Sequence, residues 1–89
     1  MLFDWDLKKN NWLKENRGVS FEEIICLIGD GHLLTILKHP QKQGQKIFIV
    51  QREGYAYNVP CVEGQDGTCF LKTIYPSRAS TKKYAGGVK

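Results

Sequence analysis

Several features that identify common protein classes are missing from this sequence of 89 residues. It contains no apolar run close to the roughly 20 residues that a membrane-spanning helix requires, so we expect no membrane span. Its three cysteines, Cys26, Cys61 and Cys69, are odd in number and widely spaced, which argues against a disulfide framework. There is no C-x-x-C pair, and both histidines lie far from the cysteines, so we expect no metal and no other cofactor.

Motifs of the familiar enzyme classes are also absent. The sequence has neither a glycine-rich phosphate loop nor a nucleophile elbow. Its first residues, MLFDWDLKKN, place acids where a signal peptide needs cations followed by an apolar core. We therefore expect a cytosolic protein, and the length predicts one small domain that spans residues 1–89.

Acidic residues are missing from the C-terminal part of the chain, where positive charge accumulates. From Cys69 onward there is no Asp or Glu, and the cations are Lys72, Arg78, Lys82, Lys83 and Lys89. Residues 32–52 form a second block without acids, and its cations are Lys38, Lys42, Lys46 and Arg52. Two such blocks, on a chain with net charge +4, predict one basic surface that faces a polyanion.

The first third of the chain predicts two helices after a short extended lead-in. Asp4 or Asp6 can cap a helix that runs from about residue 7 to residue 16. Its predicted buried contacts are Trp5, Trp12 and Leu13. Ser20, with Glu23 three residues later, forms a capping-box pattern at the start of the second helix.

Four strands and a short helix are predicted in the remainder. The strands are His32–His39, Lys46–Arg52, Tyr55–Val62 and Thr68–Tyr75. Short loops join them, which forces antiparallel pairing, although Pro60 lacks an amide donor and so predicts an edge or a bulge. The last helix is predicted at about residues 79–85, with Ser77 as its cap and Gly86-Gly87 at its end. The fold class is therefore α+β: two N-terminal helices, a four-stranded antiparallel sheet, and a short C-terminal helix.

Cations and tyrosines alternate near the ends of the second and fourth predicted strands. Such a surface suits single-stranded RNA, because cations hold phosphates and aromatic rings stack on unpaired bases. The predicted RNA-binding residues are Lys46, Arg52, Lys72, Lys82, Lys83 and Tyr57. The alternative is that the tyrosines bridge the core and water, and that the lysines only keep the protein soluble.

RNA can be cleaved by its own 2′-hydroxyl if a protein supplies a base, an acid and cations for the transition state. Arg78 is a candidate because its planar guanidinium binds two phosphate oxygens. His39 is a candidate because histidine is the side chain best suited to proton transfer at neutral pH, although a plain surface histidine is the alternative. Tyr75, Tyr84 or a lysine with a lowered pKa can donate a proton, and the spacing of these residues does not choose among them.

Two motifs near the two ends of the chain carry a family resemblance. The first is FDWD at residues 3–6, followed by Lys9 and by RGVSFEE at residues 17–23. The second is SRASTK at residues 77–82, with the predicted strands between the two motifs. In this order and spacing, the chain resembles the BrnT-type toxins of bacterial type II toxin–antitoxin systems.

The resemblance implies a compact fold related to the RelE/ParE toxins, ribonuclease activity that stops translation, and inhibition by a BrnA-type antitoxin. Such an antitoxin typically carries a ribbon-helix-helix element, and operator DNA is contacted only through it. The resemblance also implies that Arg78 binds phosphate and that Lys82 is the basic residue that follows it. The family's usual Lys-His pair is replaced by Asn16-Arg17, so any role of that histidine is absent. Its frequent C-terminal acid is replaced by Tyr84; if that acid carries a proton in the family, this chain must use another group or be weakly active.

Three functions remain open on the sequence alone. The first is a metal-independent ribonuclease toxin that inhibits translation. The second is a non-catalytic protein-interaction module with a toxin-like fold, which the lack of a clear acid–base pair favours. The third is an RNA-binding protein without chemistry.

Overall fold

The computed structural model describes residues 2–85, which build a six-stranded sheet and three helices. In chain order the elements are β1 (Leu2–Trp5), α1 (Leu7–Arg17), α2 (Phe21–Gly29), β2 (Leu33–Lys38), β3 (Gln45–Arg52), β4 (Tyr55–Glu63), β5 (Thr68–Leu71), β6 (Tyr75–Pro76) and α3 (Arg78–Tyr84). The α+β class is confirmed. The predicted helix end at Gly86-Gly87 lies outside the described residues. Within residues 2–85, no helix combines the length and hydropathy needed to cross a bilayer.

The sheet is mixed, which corrects the prediction of four antiparallel strands. The pairs β2–β3, β3–β4 and β4–β5 are antiparallel, as their short loops predicted. The N-terminal lead-in is a true strand, β1, which lies beside β5 and runs parallel to it, with Phe3 opposite Cys69. The strand order is β1-β5-β4-β3-β2, so β1 and β2 are the two edges, and β6 pairs separately with β4.

The fourth predicted strand is interrupted beside Pro60. β5 ends before Lys72, and the chain leaves the ladder until β6 pairs with β4 again. In the gap, the amide of Lys72 donates to the carbonyl of Pro60 at 2.8 Å. Pro60 has no N–H with which to continue the ladder on this side, so the strand beside it breaks. Pro60 therefore marks an irregularity inside the sheet and not an edge.

All three helices begin at predicted caps. The side chains of Asp6, Ser20 and Ser77 each accept a hydrogen bond from the third amide of the helix that follows, at 3.0 to 3.1 Å. α1 ends at Gly18, whose φ of 67° is in the left-handed region that favours glycine. These local signals set the boundaries of the helices to within one residue of the prediction.

The core lies between one face of the sheet and helices α1 and α2. Its fully buried members include Leu13, Phe21 and Ile24 from the helices and Phe48, Val50, Val59 and Leu71 from the sheet. Each buried side chain of this size contributes about 1.5–3 kcal/mol relative to exposure. Trp12, by contrast, is 42% exposed, which corrects the prediction that it is buried.

The other face of the sheet, called the open face here, carries the alternate residues of each strand. Side chains alternate along β3 and β4, so the open face receives those that are out of phase with the core. They are Gln45, Ile47, Ile49, Gln51, Ala56, Asn58, Pro60 and Val62. Ile49 and Ala56 are fully buried, whereas Ile47, Pro60 and Val62 are only half-buried. The open face is therefore least covered toward the C-terminal end of β4.

Candidate functional site

The predicted RNA-binding residues lie on different faces of the sheet. Lys46, Arg52 and Tyr57 alternate in phase with the core residues of β3 and β4, so they lie on the face that α1 and α2 cover. Lys72 follows β5 on the open face, and α3 carries the remaining predicted cations. This placement corrects the expectation that the two basic blocks form one continuous surface.

Arg52 is held by three structural contacts. Its Nε donates to Glu23 at 2.7 Å, its Nη1 to the hydroxyl of Tyr57 at 3.1 Å, and its Nη2 to the carbonyl of Gly18 at 3.0 Å. The hydrogen bond to Glu23 raises the pKa of Arg52 above its ordinary value. Every guanidinium nitrogen already has a protein acceptor, so Arg52 and Tyr57 tie the turn between α1 and α2 to the sheet.

A cavity of about 200 Å³ lies toward the C-terminal end of β4. Three of the predicted site residues, His39, Lys46 and Lys72, line it, although the Lys46 side chain alternates onto the helix-covered face. Its other walls include Gln45, Ile47, Pro60 and Val62, which belong to the open face of β3 and β4. Mainly aliphatic walls with a few polar groups are typical of ligand sites in proteins.

The two lysines at the cavity differ in their partners. The Lys46 ammonium lies 2.6 Å from the Glu63 carboxylate, and this hydrogen bond raises the pKa of Lys46. The three ion pairs found among residues 2–85 involve Lys46 and Arg52, so Lys72 takes part in none of them. The exposed Lys72 ammonium lies 5.3 Å from the centre of the Phe70 ring. Lys72 is therefore the cation at the cavity whose charge is available to a ligand.

His39 is oriented by the loop that follows it. Its Nδ1 accepts hydrogen bonds from the amides of Gln41 at 3.1 Å and Lys42 at 3.2 Å. An atom that accepts from two amides carries no proton, so the neutral ring bears its proton on Nε2. The lone pair of Nδ1 is already engaged, so neutral His39 presents a hydrogen-bond donor to a ligand and has no free acceptor nitrogen.

Tyr75 and Arg78 lie farther along the same side of β4. Tyr75 pairs with Asn58, whose Nδ2 donates to the tyrosine hydroxyl at 3.4 Å. The Oδ1 of Asn58 is buried and has no partner within residues 2–85. Arg78 is the first residue of α3 and is exposed, and Ser77 before it donates its amide to the carbonyl of Ala56 at 2.9 Å.

The second half of α3 holds the other predicted residues. Lys82 and Lys83 are exposed, and Tyr84 is half-buried. The Lys83 ammonium lies 5.4 Å from the centre of the Tyr84 ring. At about 1.5 Å rise per residue, Tyr84 lies roughly 9 Å along the helix axis from Arg78. Tyr84 and Arg78 therefore stand at opposite ends of α3.

Comparison with known proteins gives one structural match. Neither a protein-family profile nor a curated protein matches the sequence. Among solved structures, the 1.1 Å crystal structure of the Brucella abortus ribonuclease toxin BrnT matches with a TM-score of 0.62 and 14% identity, covering 86% of this chain and 97% of that chain. The chain has the BrnT fold. At this identity the likeness establishes the fold alone, with its three helices and mixed sheet.

Five residues that line the cavity were not predicted as site residues: Gln45, Ile47, Pro60, Cys61 and Val62. None belongs to a motif that would identify it, and Ile47 lies in a continuous apolar run. Only the register between β3 and β4 within the BrnT fold shows that they line one cavity. Within residues 2–85, no group of three or more His, Cys, Asp or Glu side chains is placed to hold a metal ion.

Proposed function

We propose that this protein is the toxin of a type II toxin–antitoxin system, and that it stops translation by cleaving RNA in the cytoplasm without a metal ion. The BrnT fold supports this proposal, because BrnT is a ribonuclease toxin. The observation that carries it in this chain is the succession of Lys72, Tyr75 and Arg78 along one side of β4. The phenol of Tyr75 thus lies between two exposed cations, Lys72 and Arg78, in the part of the chain that contains no acidic residue.

The chemistry proposed for these residues starts from the RNA itself. The 2′-oxygen attacks the adjacent phosphorus, the bond to the 5′-oxygen breaks, and one proton moves from the first oxygen toward the second. Arg78 would bind two phosphate oxygens through its planar guanidinium. Lys72 would stabilise the negative charge that develops, and Tyr75 is the candidate for proton transfer. His39 would contribute a hydrogen bond from Nε2 rather than accept a proton.

The exposed cations of α3 are proposed to contact RNA beyond the cleaved bond. Lys82 and Lys83 lie one to two turns after Arg78, and no acid occurs in α3. Tyr84, beside Lys83, offers a ring on which a base can stack. Phosphate contacts of this kind set affinity and make it dependent on salt.

The proposed partner is a BrnA-like ribbon-helix-helix antitoxin, which would alone contact operator DNA. An acidic segment of that partner would cover the exposed cations, since complementary charge speeds association and selects the partner. Covering Lys72 and Arg78 would also block access of RNA to the open face.

A second candidate function is an RNA-binding or protein-interaction module without catalysis. The observation that favours it is His39, whose Nδ1 is engaged by two backbone amides. Lys72 at the cavity and Tyr75 beside Asn58 are then the groups left for proton transfer, and no paired acid and base is evident among the residues that line the cavity.

Induced expression in a bacterial host separates these functions. We would compare the wild type with Arg78→Ala, and use Lys8→Ala as a control that removes an exposed cation from α1. Growth arrest with RNA decay in the wild type and in Lys8→Ala, but not in Arg78→Ala, supports the toxin. Intact RNA in arrested cells would reject the ribonuclease. Normal growth with soluble protein would favour the non-catalytic module.

A further inference from the structure

The cavity beside Lys72 has a composition that a simple phosphate site would not need. Ile47 pairs with Pro60, and Gln45 pairs with Val62, so two cross-strand pairs form its floor. Three of these four side chains are aliphatic, and burying an anion against them would cost free energy. The faces of a nucleobase are apolar and its edges are polar, so a base fits this floor better than a bare phosphate.

The polar groups of the cavity are mainly donors. His39 presents Nε2–H, because its Nδ1 accepts from two amides. The Lys72 ammonium offers further donors, and the side-chain amide of Gln45 can both donate and accept hydrogen bonds. Guanine presents O6 and N7 as acceptors, and a uracil-type edge presents O4. Adenine and cytosine carry an amino donor where guanine has O6 and uracil has O4, so donor-rich walls favour guanine and uracil.

The volume of the cavity suits a single ring system. About 200 Å³ corresponds to roughly seven water molecules at about 30 Å³ each. It lies below the range of about 300–1,000 Å³ that is typical of sites for larger ligands. One flat heterocycle fits, while its sugar and phosphate remain outside near Lys72.

The position of the cavity connects it to the proposed reaction. Pro60 and Asn58 are both on the open face of β4, about 7 Å apart along the strand. Asn58 contacts Tyr75, so a nucleotide whose base occupies the cavity has its neighbour beside Tyr75.

We propose that this cavity binds one unstacked base of single-stranded RNA, guanine or uracil, and so selects the nucleotide next to the cleaved bond. Ile47, Pro60 and Val62 stack on the base, His39 donates a hydrogen bond to its edge, and Lys72 binds the adjoining phosphate. The inference rests on the proposed function for its role in cleavage, but binding of the base does not require cleavage.

Nuclear magnetic resonance of the labelled protein tests the cavity directly. The four nucleoside monophosphates and inorganic phosphate serve as separate probes. We expect GMP and UMP to shift the methyl signals of Ile47 and Val62, AMP and CMP to shift them less, and inorganic phosphate to leave them unchanged. The proposal is overturned if no nucleotide shifts these signals, or if inorganic phosphate shifts them as much as the nucleotides do.

Variants connect binding with cleavage. Val62→Phe fills the cavity, while Leu2→Phe adds the same ring at an exposed position of β1 outside it. We expect Val62→Phe to abolish the nucleotide-induced shifts at Ile47 and to raise KM for RNA at least tenfold, with kcat changed less than threefold. Leu2→Phe should match the wild type. Retained shifts in folded Val62→Phe would overturn the assignment, and if that variant does not fold, the wild-type titration decides alone.

The outcomes also separate this inference from the proposed function. Nucleotide binding without RNA cleavage would reject the ribonuclease and retain the base site. RNA cleavage without nucleotide-induced shifts would retain the ribonuclease and reject the base site.

Discussion

Lys72 donates its backbone amide to the carbonyl of Pro60 at 2.8 Å, and this bond stands at the break between β5 and β6. Proline cannot return a hydrogen bond, so the neighbouring strand ends here and Lys72 leaves the ladder. As a result, an exposed cation stands at the wall of a cavity whose floor includes Pro60 itself. A single residue without an amide donor thus shapes both the sheet and the candidate site.

Arg52 is expected to act on stability and not on RNA. Arg52→Ala removes hydrogen bonds to Glu23, Tyr57 and Gly18, and we expect it to lower the free energy of unfolding by about 2 kcal/mol. Urea denaturation measures this loss, with Lys8→Ala as a control for loss of one charge. Undiminished stability combined with weakened RNA binding would contradict the structural role.

Asn10 is buried and links the two N-terminal helices. Its Oδ1 accepts from the amide of Phe21 at 2.8 Å, and its Nδ2 donates to Glu22 at 2.8 Å. Asn10→Ala leaves the buried amide of Phe21 without a partner, so we expect a loss of about 1–3 kcal/mol in unfolding free energy. The exposed neighbour Asn11→Ala should cost less than about 0.5 kcal/mol, as surface substitutions usually do. Equal losses in the two variants would show that the buried bonds are not the cause.

The hydrogen bond to Asn10 also predicts a dependence on pH. It lowers the pKa of the Glu22 carboxyl in the folded state. The stabilisation is therefore present above the unfolded pKa of Glu22 and is lost as pH falls through the folded value. Because Asn10→Ala removes this bond, the stability difference between variant and wild type should shrink in acid. A difference that stays constant down to the lowest pH at which the protein folds would argue against this linkage.

The proton of neutral His39 is expected on Nε2. Nitrogen-15 spectra recorded where the ring is neutral should show Nδ1 without a proton, because two amides donate to it. His39→Asn can keep an acceptor for the loop, whereas His39→Gln can place a donor near the position of Nε2. We expect Gln to preserve RNA cleavage better than Asn does. A proton found on Nδ1, or better cleavage by the Asn variant, would exclude the donor role.

The cysteines are expected to differ sharply in reactivity. Burial and the neighbouring Cys69 raise the pKa of Cys61 to about 11, while Cys26 is exposed. An alkylating reagent at neutral pH should therefore modify Cys26 alone in the folded protein and all three cysteines after unfolding. Since the folded thiol of Cys61 keeps its proton longer than the unfolded one, stability should fall as pH rises from about 9 to about 11. Rapid modification of Cys61 at neutral pH would contradict this burial.

Local patterns predicted the helices well because their causes are local. Asp6, Ser20 and Ser77 each bind an amide three residues away, so the sequence alone contains the signal for where each helix begins. The apolar run at residues 47–50 likewise belongs to an inner strand, β3, in which Phe48 and Val50 are fully buried.

The missed features depend on partners that are distant in sequence. Nothing in the sequence near β1 reveals that it pairs with β5, and nothing near Trp12 reveals that its side chain is 42% exposed. The Trp12 ring instead contacts the cations of Lys9 at 4.4 Å and Arg17 at 5.0 Å.

The candidate site also depends on residues that are distant in sequence, so the sequence alone did not predict it correctly. Charge counts predicted a basic surface, but alternation along β3 sends Lys46 and Arg52 to the helix-covered face. Their carboxylate partners, Glu63 and Glu23, are far away in the sequence and close only in the fold. Lys72 and Arg78 remain exposed outside these ion pairs, and the sequence offered no means of separating them from the paired cations.

The most direct test of the central claim is cleavage of single-stranded RNA by the purified protein in the presence of EDTA. The account predicts fragments from the wild type and Lys8→Ala, with 2′,3′-cyclic phosphate ends because the 2′-oxygen attacks the phosphorus. It predicts at least a hundredfold slower cleavage by Arg78→Ala, which corresponds to about 2.7 kcal/mol of transition-state stabilisation. Intact RNA with folded wild-type protein, or equal cleavage by folded Arg78→Ala, would contradict it.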